Sequence, residues 1–101
     1  MPAAVLSASW EKYDQKKSLF SQDVNIFCPE NLWEFNYLLD TIVKVRPNLD
    51  IITVMLAIRK IMRETVAPRP RVVFVRAVME SVRERETQFI DLLENANRMA
   101  S

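Results

Sequence analysis

Apolar residues are densest in the segment Asn48–Val66, where they fall on nearly every side of a helix. A helix of this kind is packed on most of its circumference, so we predict that this segment forms the centre of the core. The β-branched residues Ile51 and Ile52 also suit a strand, but the segment is long for a strand and rich in helix-forming residues. A membrane-spanning helix needs about 20 mostly apolar residues, and Arg59 and Lys60 interrupt this run, so we expect no membrane span.

A second helix is predicted upstream of this segment. Its apolar positions recur at helical spacing along one face: Leu32, Phe35, Leu39, Ile42 and Val45. Proline suits the first position of a helix because its missing amide donor is not needed there, so the helix should begin at Pro29. Phe27 and Leu32 have the spacing of a hydrophobic staple, in which two side chains pack together across the start of a helix. Pro47 ends this helix and Asn48 caps the next, so the two helices should be antiparallel neighbours.

The last segment, 71–99, carries two lines of residues at a spacing of seven. One line contains Val75, Val82, Phe89 and Ala96, and the other contains Val78, Arg85, Leu92 and Met99. A continuous helix of about 28 residues would be about 42 Å long, which is more than a compact domain of this size needs. We therefore expect that the helix either bends near 83–87 or projects its end onto another chain. In the preceding link, Pro68 and Pro70 should form a stiff joint, with Pro70 starting the helix.

The first part of the chain has a weaker helical pattern, between Ser9 and Gln22. Four of its residues fall on one side of a helix, and we expect the aromatic ones to dock it onto the core: Trp10, Tyr13, Lys17 and Phe20. The chain contains no glycine, which is the usual residue of hairpin turns, so an antiparallel β fold is disfavoured.

These patterns together predict an all-α protein, a small helical bundle of three main helices plus a weaker N-terminal helix or arm. A chain of 101 residues is long enough for one independent core but short for two. We therefore expect a single helical domain over 1–101, with the arm at 1–28 and the helical core at 29–99.

Composition removes several kinds of site. With no glycine and no histidine, the chain has no glycine-rich phosphate loop, dinucleotide fingerprint, histidine base or histidine metal ligand. Its single cysteine, Cys28, excludes an internal disulfide and a cysteine-based zinc site, and is typical of a reducing compartment. A thiol nucleophile at this position would lack the histidine base that usually activates it. We therefore expect a cytoplasmic protein that is not an enzyme and that uses no cofactor and no metal.

Arg69 and Arg71 are the most specific polar feature of the sequence. Two guanidinium groups beside the start of a helix oppose the helix dipole, so they do not serve the stability of that helix. One interpretation is an anion or phosphate site, in which both side chains act with the free amide donors of the last helix. The other interpretation is pairing with carboxylates such as Glu64 or Asp40 on neighbouring helices, which is common at protein surfaces.

Basic residues are frequent in the region 59–85, which combines a helix, a short turn and a second helix. Such an arrangement indicates a DNA-binding regulator with a helix-turn-helix-like basic region. Against it, the turn is rigid, and Val72, Val73 and Phe74 make the supposed recognition surface apolar. The net charge of +1 adds no general attraction for nucleic acid or for a membrane surface.

The surplus of apolar residues in the last segment favours binding to another protein, first of all to a second copy of the chain. The candidate self-association surface consists of Val82, Arg85, Phe89, Leu92 and Ala96. Docking of these residues within one chain is the alternative, because a bent helix would close the bundle. Our leading interpretation is a small non-catalytic helical protein–protein interaction module that forms a homodimer, and the DNA-binding regulator is the second. No motif is specific enough to name a family or a partner.

Overall fold

The computed structural model describes residues 5–6, 8 and 10–100, and along 88–93 and 96–100 it describes the backbone alone. Within these residues the chain forms four helices and no strand. The helices are α1 (Glu11–Leu19), α2 (Leu32–Val45), α3 (Ile51–Glu64) and α4 (Arg71–Ala100). The protein is therefore the small all-α bundle that the sequence predicts, with three main helices and a shorter one before them.

The buried apolar side chains of the described residues form one cluster, to which all four helices contribute. The helices α3 and α4 make the most extensive helix contact, and α2 packs against α3. Trp10 and Tyr13 hold the N-terminal part of the chain in the same cluster, which confirms the predicted docking by aromatic residues. Phe20 lies exposed, because α1 ends at Leu19 instead of continuing to Gln22. Ser9, where the predicted helical pattern begins, lies outside the described residues.

The helix α2 begins at Leu32, later than the predicted start at Pro29. Asn31 precedes it with an extended backbone, and the side-chain amide of Asn31 donates a hydrogen bond to Glu34 Oε2 over 2.8 Å. Most of the predicted apolar face is nevertheless buried, because its spacing does not depend on where the helix starts. The buried apolar residues of α2 are Phe35, Leu38, Leu39 and Ile42.

The predicted hydrophobic staple between Phe27 and Leu32 is wrong. Phe27 is buried, but Leu32 is 74% exposed. A staple needs its second side chain at the fourth helical position. With the observed start, Leu32 occupies the first position of α2 instead, so its side chain is not placed over the entering chain.

The helix α3 begins at Ile51 and is capped by Asp50, not by Asn48 as predicted. The carboxylate Oδ1 of Asp50 accepts a hydrogen bond from the amide of Ile52 over 2.9 Å. Asn48 lies in the turn that connects α2 to α3. Aspartate at this position satisfies one of the free amide donors of the first turn, and its negative charge also suits the dipole of the helix.

The helix α3 buries one face, which corrects the prediction that it is packed on most of its circumference. Its buried residues are Val54, Ala57, Ile58 and Ile61. Ile51, Ile52 and Leu56 are exposed. The cause is geometric, because α2 and α4 are the main helices packed against α3, and two neighbours leave part of its circumference open to solvent.

The helix α4 runs from Arg71 to Ala100 without interruption, including the charged region 83–87. Pro70 immediately precedes it, and the carbonyl of Pro70 accepts the first helical hydrogen bond, from the amide of Phe74 over 2.9 Å. Pro70 therefore starts the helix as predicted. The buried apolar residues in the described part of α4 are Phe74, Val75, Val78, Met79 and Val82.

The link before α2 is bonded to the link before α4. The amide of Phe27 donates to the carbonyl of Arg69 over 2.8 Å, and the amide of Arg71 donates to the carbonyl of Asn25 over 2.7 Å. These two bonds flank an isolated antiparallel bridge between Ile26 and Pro70. They fix the position of the chain before α2 relative to the start of α4.

Candidate functional site

The candidate self-association residues lie along α4, and the structure places them in different surroundings. Val82 is 1% exposed and belongs to the core of its own chain, so it is not available to a second chain. This corrects the sequence prediction, because a spacing of seven suits a core face as well as a seam between chains. Arg85 is half-buried, and its Nε is buried without a hydrogen-bond partner among the described residues. The side chains of Phe89, Leu92 and Ala96 lie outside the described part of the molecule.

The length of α4 distinguishes it from the helix beside it. It contains 30 residues and α3 contains 14, which correspond to about 45 Å and about 21 Å of helix. Among the described side chains, the buried ones of α4 end at Val82, and Glu86 makes the ion pair furthest along the helix, with Arg46 over 3.2 Å. The remaining part, which we call the α4 tail (88–100), therefore runs past the end of α3.

Arg69 is buried in the link before α4, where it makes several hydrogen bonds. Its Nη1 donates to Glu30 Oε1 over 2.6 Å, and its Nε donates to Thr65 Oγ1 over 2.9 Å. Its Nη2 donates to the carbonyl oxygens of Met62 and Thr65 over 3.1 Å and 3.0 Å. The last carbonyls of a helix have no partner within the helix. Arg69 therefore caps the C-terminal end of α3 and ties it to Glu30.

Arg71 is the first residue of α4, and its side chain contacts α1. Its Nη1 donates to Asp14 Oδ1 over 2.7 Å. Its guanidinium carbon lies 5.0 Å from the ring centre of Trp10 and 5.5 Å from that of Tyr13, which is within the range of cation–π attraction. Arg71 therefore fastens the N-terminal helix to the start of α4.

Both arginines thus pair with carboxylates, as the second interpretation of this pair expected. The partners are Glu30 and Asp14, however, and not Glu64 or Asp40. An anion at this place would have to compete with these two carboxylates for the same guanidinium groups. The sequence could not supply the partners, because they lie 39 and 57 residues away along the chain.

A buried polar cluster joins α1 to the start of α2. Oε1 of Glu34 accepts hydrogen bonds from Tyr13 OH over 2.6 Å and from Lys17 Nζ over 3.0 Å. The same oxygen accepts from the amide of Cys28 over 3.1 Å, and Oε2 accepts from Asn31 Nδ2 over 2.8 Å. The side chains of Lys17 and Glu34 are 1% and 0% exposed. We call these five residues the Glu34 cluster.

Burial and hydrogen bonding act in opposite directions on the pKa of Glu34. Burial alone would raise it, but the hydrogen bonds from the other four residues of the cluster hold the pKa below its usual value. Glu34 is therefore ionised at neutral pH. Burial, the hydrogen bond to Glu34 and the charge of Glu34 raise the pKa of Tyr13 well above its ordinary range. Burial and then the charge of Glu34 also raise the pKa of the Cys28 thiol.

These shifts are typical of a structural cluster and not of a reactive one. The Sγ atom of Cys28 lies 4.0 Å from Lys17 Nζ. The thiolate is the reactive form of cysteine, and a raised pKa keeps the thiol of Cys28 protonated. The cluster therefore holds α1 against α2, with the buried charge of Glu34 satisfied by donors from both sides.

Sequence reasoning missed the Glu34 cluster, although one signal was present. Lys17 falls on the same side of α1 as Trp10 and Tyr13, which places a lysine within an aromatic face. A lysine in that position needs either solvent for its ammonium group or a buried carboxylate. Glu34 gave no comparable signal, because a glutamate near the start of a helix is ordinarily explained by the helix dipole.

Comparison with known proteins assigns no family to the chain. It matches no protein family model, no curated protein and no solved structure. Within the described residues, no group of three or more cysteine, aspartate or glutamate side chains is arranged to hold a metal ion. No helix in the described part of the chain combines the length and the apolar character needed to cross a membrane.

Proposed function

We propose that this protein is a small non-catalytic module that binds protein, and that its first partner is a second copy of itself. The α4 tail carries the proposal, because it belongs to a helix more than twice as long as the neighbouring α3. Isolated helices shorter than about 12–15 residues are marginal in water. The tail continues a helix that is already formed and needs no new nucleus, but helices in proteins gain most of their stability by packing an amphipathic face against another surface.

The sequence of the tail supplies one side of such an interface. Its apolar residues recur at intervals of three and four, as in the seam between two helices: Phe89, Leu92, Leu93, Ala96 and Met99. In an isologous dimer the same face of both chains meets across a two-fold axis. An antiparallel pairing of the two tails keeps the two bundles at opposite ends, where they do not collide.

Arg85 gives the proposed dimer a polar contact at the point where the tail begins. A buried donor without a partner costs about 1–3 kcal/mol, and the Nε of Arg85 is such a donor among the described residues. Because its own chain covers this Nε, a carboxylate of the second copy would contact the exposed part of the half-buried Arg85 side chain instead. Such a pair would also fix the register of the two helices, which an apolar seam alone leaves open.

Sedimentation or light scattering on the full chain tests the proposal. We expect a particle of twice 11.8 kDa at tens of micromolar for the unaltered chain, and a monomer for Phe89→Glu with Leu92→Glu. The matched control is Thr87→Glu with Asn95→Glu, which adds the same charge at two exposed positions of α4. A monomeric unaltered chain would contradict self-association. A dimer that is equally stable in the Phe89 and Leu92 variant would place the interface elsewhere.

The DNA-binding regulator remains our second candidate for the region 59–85. Two of its basic residues, Arg69 and Arg71, already bind carboxylates, while three others are exposed without a partner among the described residues: Arg59, Arg63 and Arg76. Phosphate contacts are strongest at low salt. An absence of binding to both duplex and single-stranded DNA under those conditions would remove this candidate. For either function we expect a reducing, cytoplasmic setting, since the single cysteine is a free thiol.

A further inference from the structure

The solvent-facing side of α3 carries an exposed apolar pair next to an exposed basic pair. Ile52 is 59% exposed and Leu56 is 44% exposed. Arg59 and Arg63 follow on the same side of the helix and are also exposed. We call these four residues the α3 stripe. It lies on a different helix from the α4 tail, so it is a separate surface.

The α3 stripe has the spacing of a helix seam. Its members follow one another at intervals of four, three and four residues, which keeps them in line along one face of a helix. Buried residues of α3 occupy the other side, so the core does not use the stripe. Its length is about 17 Å, or three turns. A surface of this shape is complementary to one face of another helix.

The charge of the stripe indicates what kind of helix fits it. No described residue forms an ion pair or a hydrogen bond with the side chains of Arg59 and Arg63, while Lys60 between them pairs weakly with Glu84 over 3.9 Å. The single carboxylate within α3 is Glu64, its last residue. The face therefore combines two apolar side chains with two unpaired guanidinium groups. Arginine presents donors in the geometry that carboxylates bind in pairs.

We propose that the α3 stripe is a docking surface for an acidic amphipathic helix of another protein. Apolar residues of that helix cover Ile52 and Leu56, and its glutamate or aspartate side chains pair with Arg59 and Arg63. A second copy of this chain fits the stripe less well, because its tail carries Asp91 and Glu94 against Arg98 and has little net charge. The contact is small beside a standard protein interface, so binding should be weak and transient.

A synthetic helical peptide of about three heptads, labelled with fluorescein, serves as the probe. It has leucine at the two seam positions of each heptad and glutamate at the positions that flank the seam. Repulsion between these glutamates prevents two copies of the peptide from pairing with each other. A peptide with lysine in place of glutamate tests the role of charge, and a scrambled acidic peptide tests the role of the helix face. Binding to the full chain is measured by fluorescence anisotropy.

The variant Arg59→Glu with Arg63→Glu tests the basic half of the stripe, and Leu56→Gln tests the apolar half. The matched control is Arg76→Glu with Arg83→Glu, which makes the same change of charge at two exposed arginines of α4. We expect the stripe variants to bind the acidic helix about tenfold more weakly or worse, since like charges replace opposite ones. The control variant should bind like the unaltered chain, and all variants should keep their helicity.

Several results would overturn the proposal. The acidic helix could fail to bind, bind no better than its scrambled form, or lose affinity equally with the control variant. The chain could also bind anionic phospholipid vesicles or duplex DNA more strongly than it binds the acidic helix. If that binding depended on Arg59 and Arg63, the stripe would belong to a different class of partner. A change of oligomeric state in the Arg59 and Arg63 variant would assign it to a second copy of the chain.

Discussion

The Glu34 cluster and the α3 stripe reverse the usual distribution of side chains, in which charged groups lie at the surface and apolar groups lie in the interior. In the cluster, a lysine and a glutamate are completely buried and satisfy each other with the help of three further residues. In the stripe, an isoleucine and a leucine lie in solvent beside two arginines that no described residue pairs with. One region places charge inside the protein, and the other leaves apolar surface outside it.

The difference shows that these two regions contribute to different properties. A buried ion pair adds little net stability compared with apolar residues of the same shape, but removing one partner is costly, because the other charge is left buried. The cluster therefore fixes where α1 and α2 meet. Exposed apolar side chains cost the folded state little, because folded proteins normally expose much apolar surface. The stripe is therefore free to serve binding.

The largest expected effect is that of Glu34→Gln, which leaves the ammonium group of Lys17 buried without its counter-charge. We expect the free energy of unfolding to fall by about 3–5 kcal/mol, measured by urea denaturation at neutral pH. Glu80→Gln is the matched control, because Glu80 is exposed and has no partner among the described residues. A loss below about 1 kcal/mol for Glu34→Gln would mean that the cluster does not hold α1 in place.

The second effect is the acid dependence of stability. The pKa of Glu34 is lower in the folded protein than in the unfolded chain. The ionised carboxylate therefore makes its full contribution to the free energy of unfolding above the ordinary glutamate pKa of about 4.3, and this contribution is lost as the pH falls through the lower pKa of the folded protein. This loss should be smaller than that of Glu34→Gln, because protonation can remove only about 1.4 kcal/mol for each unit by which folding lowers the pKa of Glu34. Unfolding curves from pH 6 downwards measure it. Glu34→Gln should remove this part of the acid dependence, and an unchanged curve in that variant would contradict the assignment.

The third effect compares Arg69, in the link before α4, with Arg71, the first residue of α4. Arg69→Met leaves two carbonyls at the end of α3 uncapped and should cost about 2 kcal/mol. Arg71→Met loses one partly exposed ion pair and its contacts with aromatic rings, and should cost about 1 kcal/mol. Methionine keeps much of the apolar stem in both cases. Thermal and urea unfolding measure both variants, and equal losses would show that capping by Arg69 contributes less than its hydrogen bonds suggest.

The smallest effect is expected on the α3 stripe. Ile52→Gln and Leu56→Gln should each change the free energy of unfolding by no more than about 0.5 kcal/mol, because both side chains already lie in solvent. Ile58→Gln, at a buried position of the same helix, should cost several times as much. If Ile52→Gln or Leu56→Gln destabilised the protein as strongly as Ile58→Gln, the α3 stripe would be covered in solution.

Helical spacing predicted the fold well wherever the evidence lay within one segment. The all-α class, the buried face of α2 and the start of α4 after Pro70 all follow from residues a few positions apart. The prediction failed where the packing of a neighbouring helix decides which residues are buried. The apolar residues of α3 fit every side of a helix equally well, and only the arrangement of α2 and α4 determines that Ile52 is exposed while Ile58 is buried.

The candidate sites were harder to predict, because they depend on contacts between distant segments. Lys17 and Glu34 are separated by 17 residues, and each alone resembles an ordinary surface charge. Arg69 and Arg71 were singled out because two cations at a helix start need an explanation outside that helix, and the structure shows both paired with carboxylates. Their partners could not be named from spacing. Val82 was wrongly assigned to the seam between two chains, because a spacing of seven fits the core of one chain as well as an interface.

The contact between Arg71 and Asp14 also has a consequence for the order of folding. It joins residues 57 positions apart, and closing such a loop costs more entropy than pairing α3 with α4 across a short link. The pair α3 and α4 should therefore form early, and α1 should join the start of α4 late. The same helix should detach first in native fluctuations, so its amide protons should exchange faster than those of α3. The N-terminal helix would thus open and close over a bundle that stays folded beneath it.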